Sequence, residues 1–385
     1  MTSGSRRLHL AYAGMGATAS SVPAVLPTAQ SQLGEGVLAA APLLFLGLLA
    51  GVCVSALLPP SVDVTRVVLT GTMLQTAGLA LGAFSWSPAV FIAAAGLAGV
   101  GFGLTESAIG VVAKMTAEQS AARTLTGLTT TVALAACLCP LALGAATLAA
   151  PGSIVALLLP AAVNALAVPA LLRLRARVRA GAPAPRARLS VTAPLVALAA
   201  AIAVYVGIES VISGWSSAIP FELLDIDPSS AVLGTSIFWA LMAIGRACAA
   251  GMLRAGSTPR LTLTSGSTLA AAALVMAAVT VDRAPAVALV CLAIAVVALA
   301  PTYGIVLGTA LDRTDDRGAP RVSAAIIACG AGGGALLPLG VLAVGQEPGS
   351  ALTFVTLAGA CVVVLTLVLV GSATSIPRSR RQRHG

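Results

Sequence analysis

Twelve long apolar segments follow one another along the chain, separated by short polar stretches. Each has about the ~20 residues that an α-helix needs to cross the hydrocarbon core of a bilayer. A segment such as 351–370 is apolar on every face, which excludes the alternating strands of a membrane β-barrel. The predicted spans are 8–30, 36–58, 66–85, 89–112, 124–149, 152–172, 191–222, 231–253, 261–281, 285–310, 322–345 and 350–372.

The composition agrees with a chain that lies almost wholly within the membrane. Hydrophobic residues make up 58%, charged residues 9%, and the mean hydropathy is +1.00, whereas about a quarter of a soluble domain is charged. Twelve spans take up roughly 32 residues each with their connections, so we expect no additional soluble domain. The seven cysteines all lie in apolar segments without metal-ligand spacing, and we predict neither a disulfide nor a metal site.

The basic residues are divided unevenly between the two sides of the membrane. Of the 22 lysines and arginines, 20 fall on the side that carries both termini, while Arg283 falls on the other and Arg246 lies within a span. In membrane proteins, the loops that are rich in lysine and arginine usually lie on the cytoplasmic side. We therefore predict a multi-pass protein of the cell membrane with both termini in the cytoplasm. The net charge of +9 then reflects orientation, and we expect no nucleic-acid partner.

One longer polar connector divides the spans into two groups of six. Residues 173–190 read RLRARVRAGAPAPRARLS, a basic stretch rich in alanine and proline. This composition is typical of a flexible cytoplasmic connector that contacts anionic headgroups. The predicted organisation is an N-terminal six-helix bundle at 1–172, the connector at 173–190, and a C-terminal six-helix bundle at 191–385 that ends in a short basic tail.

The two groups of spans resemble each other at a nearly constant offset. With an offset of 193 residues, AYAGMGATASSVPAVLP at 11–27 lies over VYVGIESVISGWSSAIP at 204–220. Arg66 matches Arg260 at an offset of 194, and Pro140 matches Pro338 at 198. We infer a duplicated six-helix unit. Because the first segment is part of the repeat, we interpret it as a span and not as a signal peptide.

Two six-helix halves joined by a basic connector resemble the major facilitator superfamily. GFGLTESA at 101–108, YVGIES at 205–210, SIFWALMAIGR at 236–246 and APTYG at 300–304 are similar to its fucose-permease-like branch of sugar–proton symporters. The resemblance implies twelve transmembrane helices in two pseudo-symmetric bundles around a central transport site.

The chain departs from these patterns in three places. Span 1 lacks the acidic residue that is usual in the fucose-permease-like branch, and span 5 lacks the glycine-proline signature of drug–proton antiporters. The connection between spans 2 and 3, LLPPSVDVTR, keeps only Asp63 and Arg66 of the superfamily's acidic, glycine-rich loop. The missing acid leaves the symport mechanism open, and the missing signature weighs against a standard drug exporter.

Two acidic residues, Glu106 and Glu209, lie inside predicted spans. A charge at the membrane centre costs at least ~2.5–3.5 kcal/mol, and a carboxyl group there often takes up a proton, so both are candidates for proton coupling. Glu106 lies eight residues before Lys114, about 12 Å along a helix, and it matches the protonatable glutamate of span 4 in the resemblance. Glu209 shares a helix face with Tyr205 and is also a candidate for binding a substrate hydroxyl or amine. The alternative for each is a structural bond between helices.

Arg246 is the only arginine or lysine that lies away from the ends of the predicted spans, where it either pairs with a carboxylate or extends towards the cytoplasm. We group it with Asp63 and Arg66 as candidates for charge pairing or gating. Aromatic residues make up only 3% of the chain, so their positions are informative, with helix packing as the alternative role and interfacial anchoring a further one for Trp215. The candidate substrate-binding residues are Tyr12, Tyr205, Glu209, Trp215, Trp239, Tyr303 and the buried amides Gln75 and Asn164.

The sequence shows no histidine–carboxylate cluster, nucleophile motif, phosphate loop or haem ligand pair, so we expect no enzyme. We predict a monomeric secondary active transporter that moves a sugar or sugar-like solute by alternating access. Its expected partners are the solute, protons and the lipid bilayer, and its energy source is the proton gradient without any cofactor. The alternatives are a proton-driven exporter of an antibiotic or other natural product and a membrane sensor that transports nothing.

Overall fold

A computed structural model of the chain describes residues 3–58, 62–116, 121–149, 154–173, 192–311 and 319–373. Almost all of these residues are helical, and the described ranges contain no β-strand. Short 3-10 helices at Glu35–Ala39 and Ile154–Leu157 precede α2 and α6. The α-helices are α1 (Ser3–Leu33), α2 (Ala40–Leu57), α3 (Val64–Ala83), α4 (Pro88–Thr116), α5 (Ala121–Ala149), α6 (Leu158–Leu172), α7 (Ala193–Gly214), α8 (Ala218–Leu224), α9 (Pro228–Ala231), α10 (Leu233–Arg254), α11 (Pro259–Thr280), α12 (Pro285–Leu299), α13 (Thr302–Leu311), α14 (Ala319–Ala343) and α15 (Ala351–Ala373).

These helices confirm the predicted all-α membrane fold with twelve spans. Ten helical segments of the described ranges are long and apolar enough to cross a membrane, and a shorter apolar helix, Thr131–Ala146, lies within α5. Span 7 was predicted as 191–222, but its helix α7 ends at Gly214 and the chain turns before α8. Span 10 consists of α12 and α13, which are separated at Ala300 and Pro301 because proline cannot continue the hydrogen-bond pattern of the preceding helix.

The helices form two bundles with matching internal contacts. In the first bundle α1 packs against α5 and α6, and in the second bundle its counterpart α7 packs against α14 and α15. Likewise α3 packs against α4 and α6, while α11 packs against α12 and α15. This correspondence is the pseudo-symmetry that the sequence repeat predicted. Most of the basic connector and the tail, 174–191 and 374–385, lie outside the described residues, so the orientation in the membrane stays a prediction.

Helices α2 and α4 approach each other through glycines. Gly47 and Gly51 lie one turn apart in α2, and Gly99 and Gly103 do so in α4. A Cβ atom at any of these four positions would collide with a backbone carbonyl of the facing helix. Such close contact holds helices together in lipid, where packing and not the hydrophobic effect drives their association.

The second bundle repeats this close approach at related positions. Gly245 in α10 lies 194 residues after Gly51 and packs directly on the Val297 carbonyl of α12. Gly51 packs in the same way on the carbonyl of Val100 in α4. The tight interface between the second and fourth spans is therefore present in both bundles.

The two bundles are joined at the membrane face opposite the termini. The Ser217 hydroxyl before α8 donates a hydrogen bond to the Pro23 carbonyl of α1. The Gln30 amide donates to a carboxylate oxygen of Glu222 at 3.0 Å. The Ser236 hydroxyl, near the start of α10, donates to the carbonyl of Cys137 in α5 at 2.9 Å. These contacts close the molecule on that face.

The glycine contacts predict a difference between two neighbouring positions of α4. In Gly99→Ala the new methyl group would overlap the Leu44 carbonyl, whereas in Gly96→Ala it would lie 3.8 Å from the Leu43 carbonyl oxygen, an ordinary contact. We expect the first change to destabilise the protein by about 1–3 kcal/mol, the usual cost of overpacking. Thermal unfolding in detergent should show a Tm several degrees lower for Gly99→Ala and nearly unchanged for Gly96→Ala. Equal Tm values for the two variants would contradict the close packing of α2 and α4.

Candidate transport site

A cavity of about 880 Å³ lies between the two bundles. Its walls come from α1, α2, α4 and α5 of the first bundle and mainly from α7, α10, α13 and α14 of the second. The lining includes Leu253 at the end of α10, Thr309 near the end of α13 and Ile327 near the start of α14. These three positions lie towards the face that carries the termini. Because the bundles are joined at the opposite face, the cavity opens on the terminal face.

Glu209 and Arg246 form an ion pair inside this cavity. The Arg246 Nη2 atom lies 3.9 Å from the Glu209 Oε1 atom, and Arg246 Nε donates a hydrogen bond to the Ala300 carbonyl at 3.3 Å. Ala300 stands at the break between α12 and α13. The guanidinium group is thus fixed by a carboxylate of α7 and by the interrupted backbone of span 10. Of the two alternatives for Arg246, the structure shows the contact with a carboxylate.

The Tyr205 ring lies behind this ion pair and not in the cavity wall. Tyr205 is buried, and its hydroxyl group lies next to both Glu209 and Arg246. That hydroxyl makes no hydrogen bond of normal geometry with the described residues. Since Tyr205 precedes Glu209 by one helical turn, the two side chains lie on the same face of α7.

Glu106 faces the cavity from the first bundle without a partner. Within the described part of the chain its carboxylate forms neither an ion pair nor a hydrogen bond, and its side chain is exposed to the cavity. Tyr12 of α1 and Tyr303 of α13 line the same cavity and lie within electrostatic reach of Glu106. A carboxylate in this position needs water, a proton or a bound cation as its counterpart.

The structure brings half of the twelve predicted site residues together. Six of them line the cavity: Tyr12, Glu106, Glu209, Trp239, Arg246 and Tyr303. The Trp239 ring packs edge-on against Phe238, with ring centroids 5.5 Å apart. The first bundle contributes one unpaired acid, and the second contributes the neutralised pair of Glu209 and Arg246.

Other candidates lie elsewhere and have structural contacts. Trp215 is buried at the end of α7, away from the cavity lining. The Gln75 amide donates to Thr105 Oγ1 at 3.0 Å, between α3 and α4. The Asn164 amide donates to the Gly14 and Pro160 carbonyls and to Thr18 Oγ1. Each of these buried amides is used to hold helices together within the first bundle.

Asp63 and Arg66, which we predicted as candidates for charge pairing, do not form an ion pair with each other. The Asp63 carboxylate accepts a hydrogen bond from the Thr65 backbone N–H at 2.9 Å and so caps the start of α3. The Arg66 side chain is exposed, and it does not come within 4 Å of the Asp63 carboxylate. In this state of the protein neither residue forms a charge pair with the other.

Sequence reasoning missed several apolar and hydroxyl side chains of the lining. Phe102 precedes Glu106 by one turn, and Ser213 follows Glu209 by one turn, so helical spacing from the two acids identifies both. Phe45 and Leu48 of α2 also line the cavity. No pattern distinguishes these two, because α2 is apolar on all its faces.

Solved transporter structures share this architecture. The chain resembles a mutant of the peptide transporter POT in complex with alafosfalin, with a TM-score of 0.78 at 14% identity over 95% of this chain and 94% of that one. It resembles a mutant of the nucleoside transporter NupG, with a TM-score of 0.73 at 12% identity over 96% and 100%. A partially occluded, inward-open form of the xylose transporter XylE from E. coli gives a TM-score of 0.70 at 11% identity over 94% and 97%.

No protein-family model matches the chain, and no curated protein sequence matches it significantly. The structural likeness at such low identity establishes the fold. The chain is a multi-pass membrane protein with the fold of the major facilitator superfamily. The similarity to the fucose-permease-like branch still rests on the sequence segments alone.

The cavity predicts which positions react with a water-soluble thiol reagent. In a background without the seven native cysteines, cysteines that replace Phe102 and Tyr303 should be labelled from the terminal face. A cysteine that replaces Gln75, which is buried within the first bundle, should react at least about tenfold more slowly because burial excludes the reagent. Labelling rates in membrane vesicles of both orientations provide the measurement. Equal rates at all three positions would contradict the location of the cavity.

Proposed function

We propose that the chain is a secondary active transporter that carries a small organic solute by alternating access. The observation that supports this most is the cavity itself, which lies between two pseudo-symmetric bundles, is closed at one membrane face and contains charged side chains. Charged groups within a membrane are costly and typically mark transport pathways. The structures of the same fold reported above are transporters, in keeping with the expectation that this chain is not an enzyme.

Proton coupling is assigned to Glu106 in this proposal. Its carboxylate faces the cavity and has no partner among the described residues, so it is free to exchange a proton with water that enters from the open face. Glu209 is already neutralised by Arg246 at 3.9 Å. Uptake of a proton by Glu209 would break that ion pair, which makes Glu209 the second candidate. The proton gradient supplies the energy.

Two classes of solute are compatible with the cavity. A sugar-like solute, which the sequence resemblance favours, would find hydroxyl groups on Ser210, Ser213 and Tyr303. An antibiotic or other natural product that is exported would find a largely apolar wall. The apolar side chains that line this wall are Met15, Phe45, Leu48, Phe102, Val132 and Trp239. The described lining contains no amide side chain, which favours the second class.

If Glu106 couples transport to protons, Glu106→Gln should affect solute exchange and pH-driven accumulation differently. A glutamine mimics the protonated carboxyl but releases no proton. Exchange of a neutral solute between the two sides needs only the loaded protein to reorient, so it should persist for such a solute. Accumulation driven by a pH gradient should fall to the background of empty vesicles. Both modes can be measured in proteoliposomes with a solute selected by thermal stabilisation from sugars, aminoglycosides and apolar natural products.

Glu347→Gln is the matched control, because Glu347 is exposed in the connection before α15. This variant should keep both transport modes. If Glu106→Gln retains the wild-type accumulation, Glu106 is structural and the coupling assignment is wrong. If the wild-type protein itself ignores the gradient, the transport is facilitated diffusion.

A further inference from the structure

We infer that the solute carries a positively charged group on an apolar body, and that this cation and the transported proton bind to the same carboxylate, Glu106. The inference deepens the proposed function and rests on it, because it names the solute class of the transport cavity. It follows from the charge balance of the cavity, from the groups around Glu106 and from the apolar walls.

Among the described residues, the charges of the cavity leave one carboxylate without a partner. Glu209 and Arg246 compensate each other at 3.9 Å, and Arg246 also donates to the Ala300 carbonyl. Glu106, on the other bundle, has no charged partner among the described residues. An anionic solute would meet two carboxylates for one occupied guanidinium group. A cationic solute would instead restore neutrality, because its charge would attract the Glu106 carboxylate.

The surroundings of Glu106 suit an organic cation better than a metal ion. Tyr12 and Tyr303 line the cavity within electrostatic reach of its carboxylate, and Phe102 precedes it by one turn on the same helix. Aromatic faces attract ammonium and other organic cations. Hard metal ions instead require several oxygen ligands, and Glu106 is the only carboxylate that the first bundle contributes to the described lining.

The walls beyond this charged site provide a place for an apolar body. Phe45 and Leu48 of α2, Met15 of α1 and Trp239 of α10 all face the cavity. Removal of apolar surface from water favours the formation of a complex. A solute with a hydrocarbon or aromatic body next to its charge would therefore use both parts of the cavity.

One carboxylate that binds both species makes their binding mutually exclusive. When the cation enters, the Glu106 carboxyl group releases its proton to water and the carboxylate forms an ion pair with the solute. When the cation leaves, the carboxylate takes up a proton again. A monovalent solute is thus exchanged for one proton, and the complete cycle moves no net charge. A neutral sugar carried in symport would instead bind together with the proton.

Among the described residues, four other titratable or charged groups line the cavity with Glu106. They are Tyr12 on α1, Tyr303 on α13, Glu209 on α7 and Arg246 on α10. Helices α2 and α5, which pack against α4, contribute only apolar side chains to the described lining, and α3 contributes none. Ordinary tyrosines and arginines do not change charge between pH 5 and pH 8. A control variant must therefore show whether any pH dependence arises from Glu209.

Two probes of nearly equal size and opposite charge test the inference. Tetraphenylphosphonium is a permanent cation and tetraphenylborate a permanent anion. Their binding to the purified full-length protein in detergent can be measured by equilibrium dialysis between pH 5 and pH 8. We expect the phosphonium to bind at least about tenfold more tightly than the borate at pH 8. At pH values below the pKa of Glu106, its Kd should rise about tenfold for each unit of decreasing pH, because one proton competes with it.

Two variants complete the test. Glu106→Gln should lose the charge preference and the pH dependence, whereas Glu209→Gln should retain the pH dependence, because Glu106 still exchanges its proton for the cation. Glu106→Asp, which keeps the charge, should retain the pH dependence even if its affinity falls, and it guards against misfolding of the glutamine variant. No phosphonium binding at any pH, equal binding of the two probes, a Kd that does not vary with pH, or an unchanged Glu106→Gln would each overturn the inference.

Flux in proteoliposomes separates this result from the proposed function. If phosphonium competes with protons at Glu106 but no pH gradient drives its exchange, the inferred site stands and the transport function fails. If a pH gradient drives the flux of a neutral solute while phosphonium binding is independent of pH, the transport function stands and the inference fails.

Discussion

A carboxylate that is removed from bulk water must be matched by an opposite charge, keep contact with water or bind a proton. The two acids of the cavity meet this requirement in different ways. Glu209 is matched by Arg246, which the broken backbone at Ala300 also holds. Glu106 has no such partner among the described residues and faces the open cavity instead. The proposed coupling and the solute class both follow from this difference.

The packing of the helices makes such a cavity possible. Glycines such as Gly51 and Gly245 bring the second and fourth spans of each bundle into backbone contact, so each bundle is a tightly packed unit. The bundles meet through hydrogen bonds at one membrane face, such as Ser236 with Cys137, and through the packing of α2 against α14 and of α5 against α10. The hydrogen bonds form and break at modest cost, which suits a protein whose halves rock against each other.

The length of the apolar segments and the internal repeat predicted most of the fold. Within lipid, each span must satisfy its own backbone hydrogen bonds and therefore forms a helix. Glu106 and Arg246 were predictable as site residues because a charge inside a span is costly. The rotation of each helix was not predictable: Tyr205 and Trp215 are buried, while Phe102 and Phe45 line the cavity. In helices that are apolar on every face, composition does not distinguish contact with lipid, protein or a cavity. That choice depends on contacts between distant parts of the chain.

The most direct test of the account is the distance between the bundles at the closed face as the pH changes. Spin labels at Gln32 and Leu224, both exposed there, would report this distance in lipid nanodiscs. An ionised Glu106 needs the water of the open cavity, so a short distance should dominate at high pH. Protonation removes that requirement, and a longer-distance population should grow at low pH, whereas Glu106→Gln should show it at every pH. A distance distribution that ignores both pH and the Glu106→Gln change would contradict the claim that the charge of Glu106 controls alternating access.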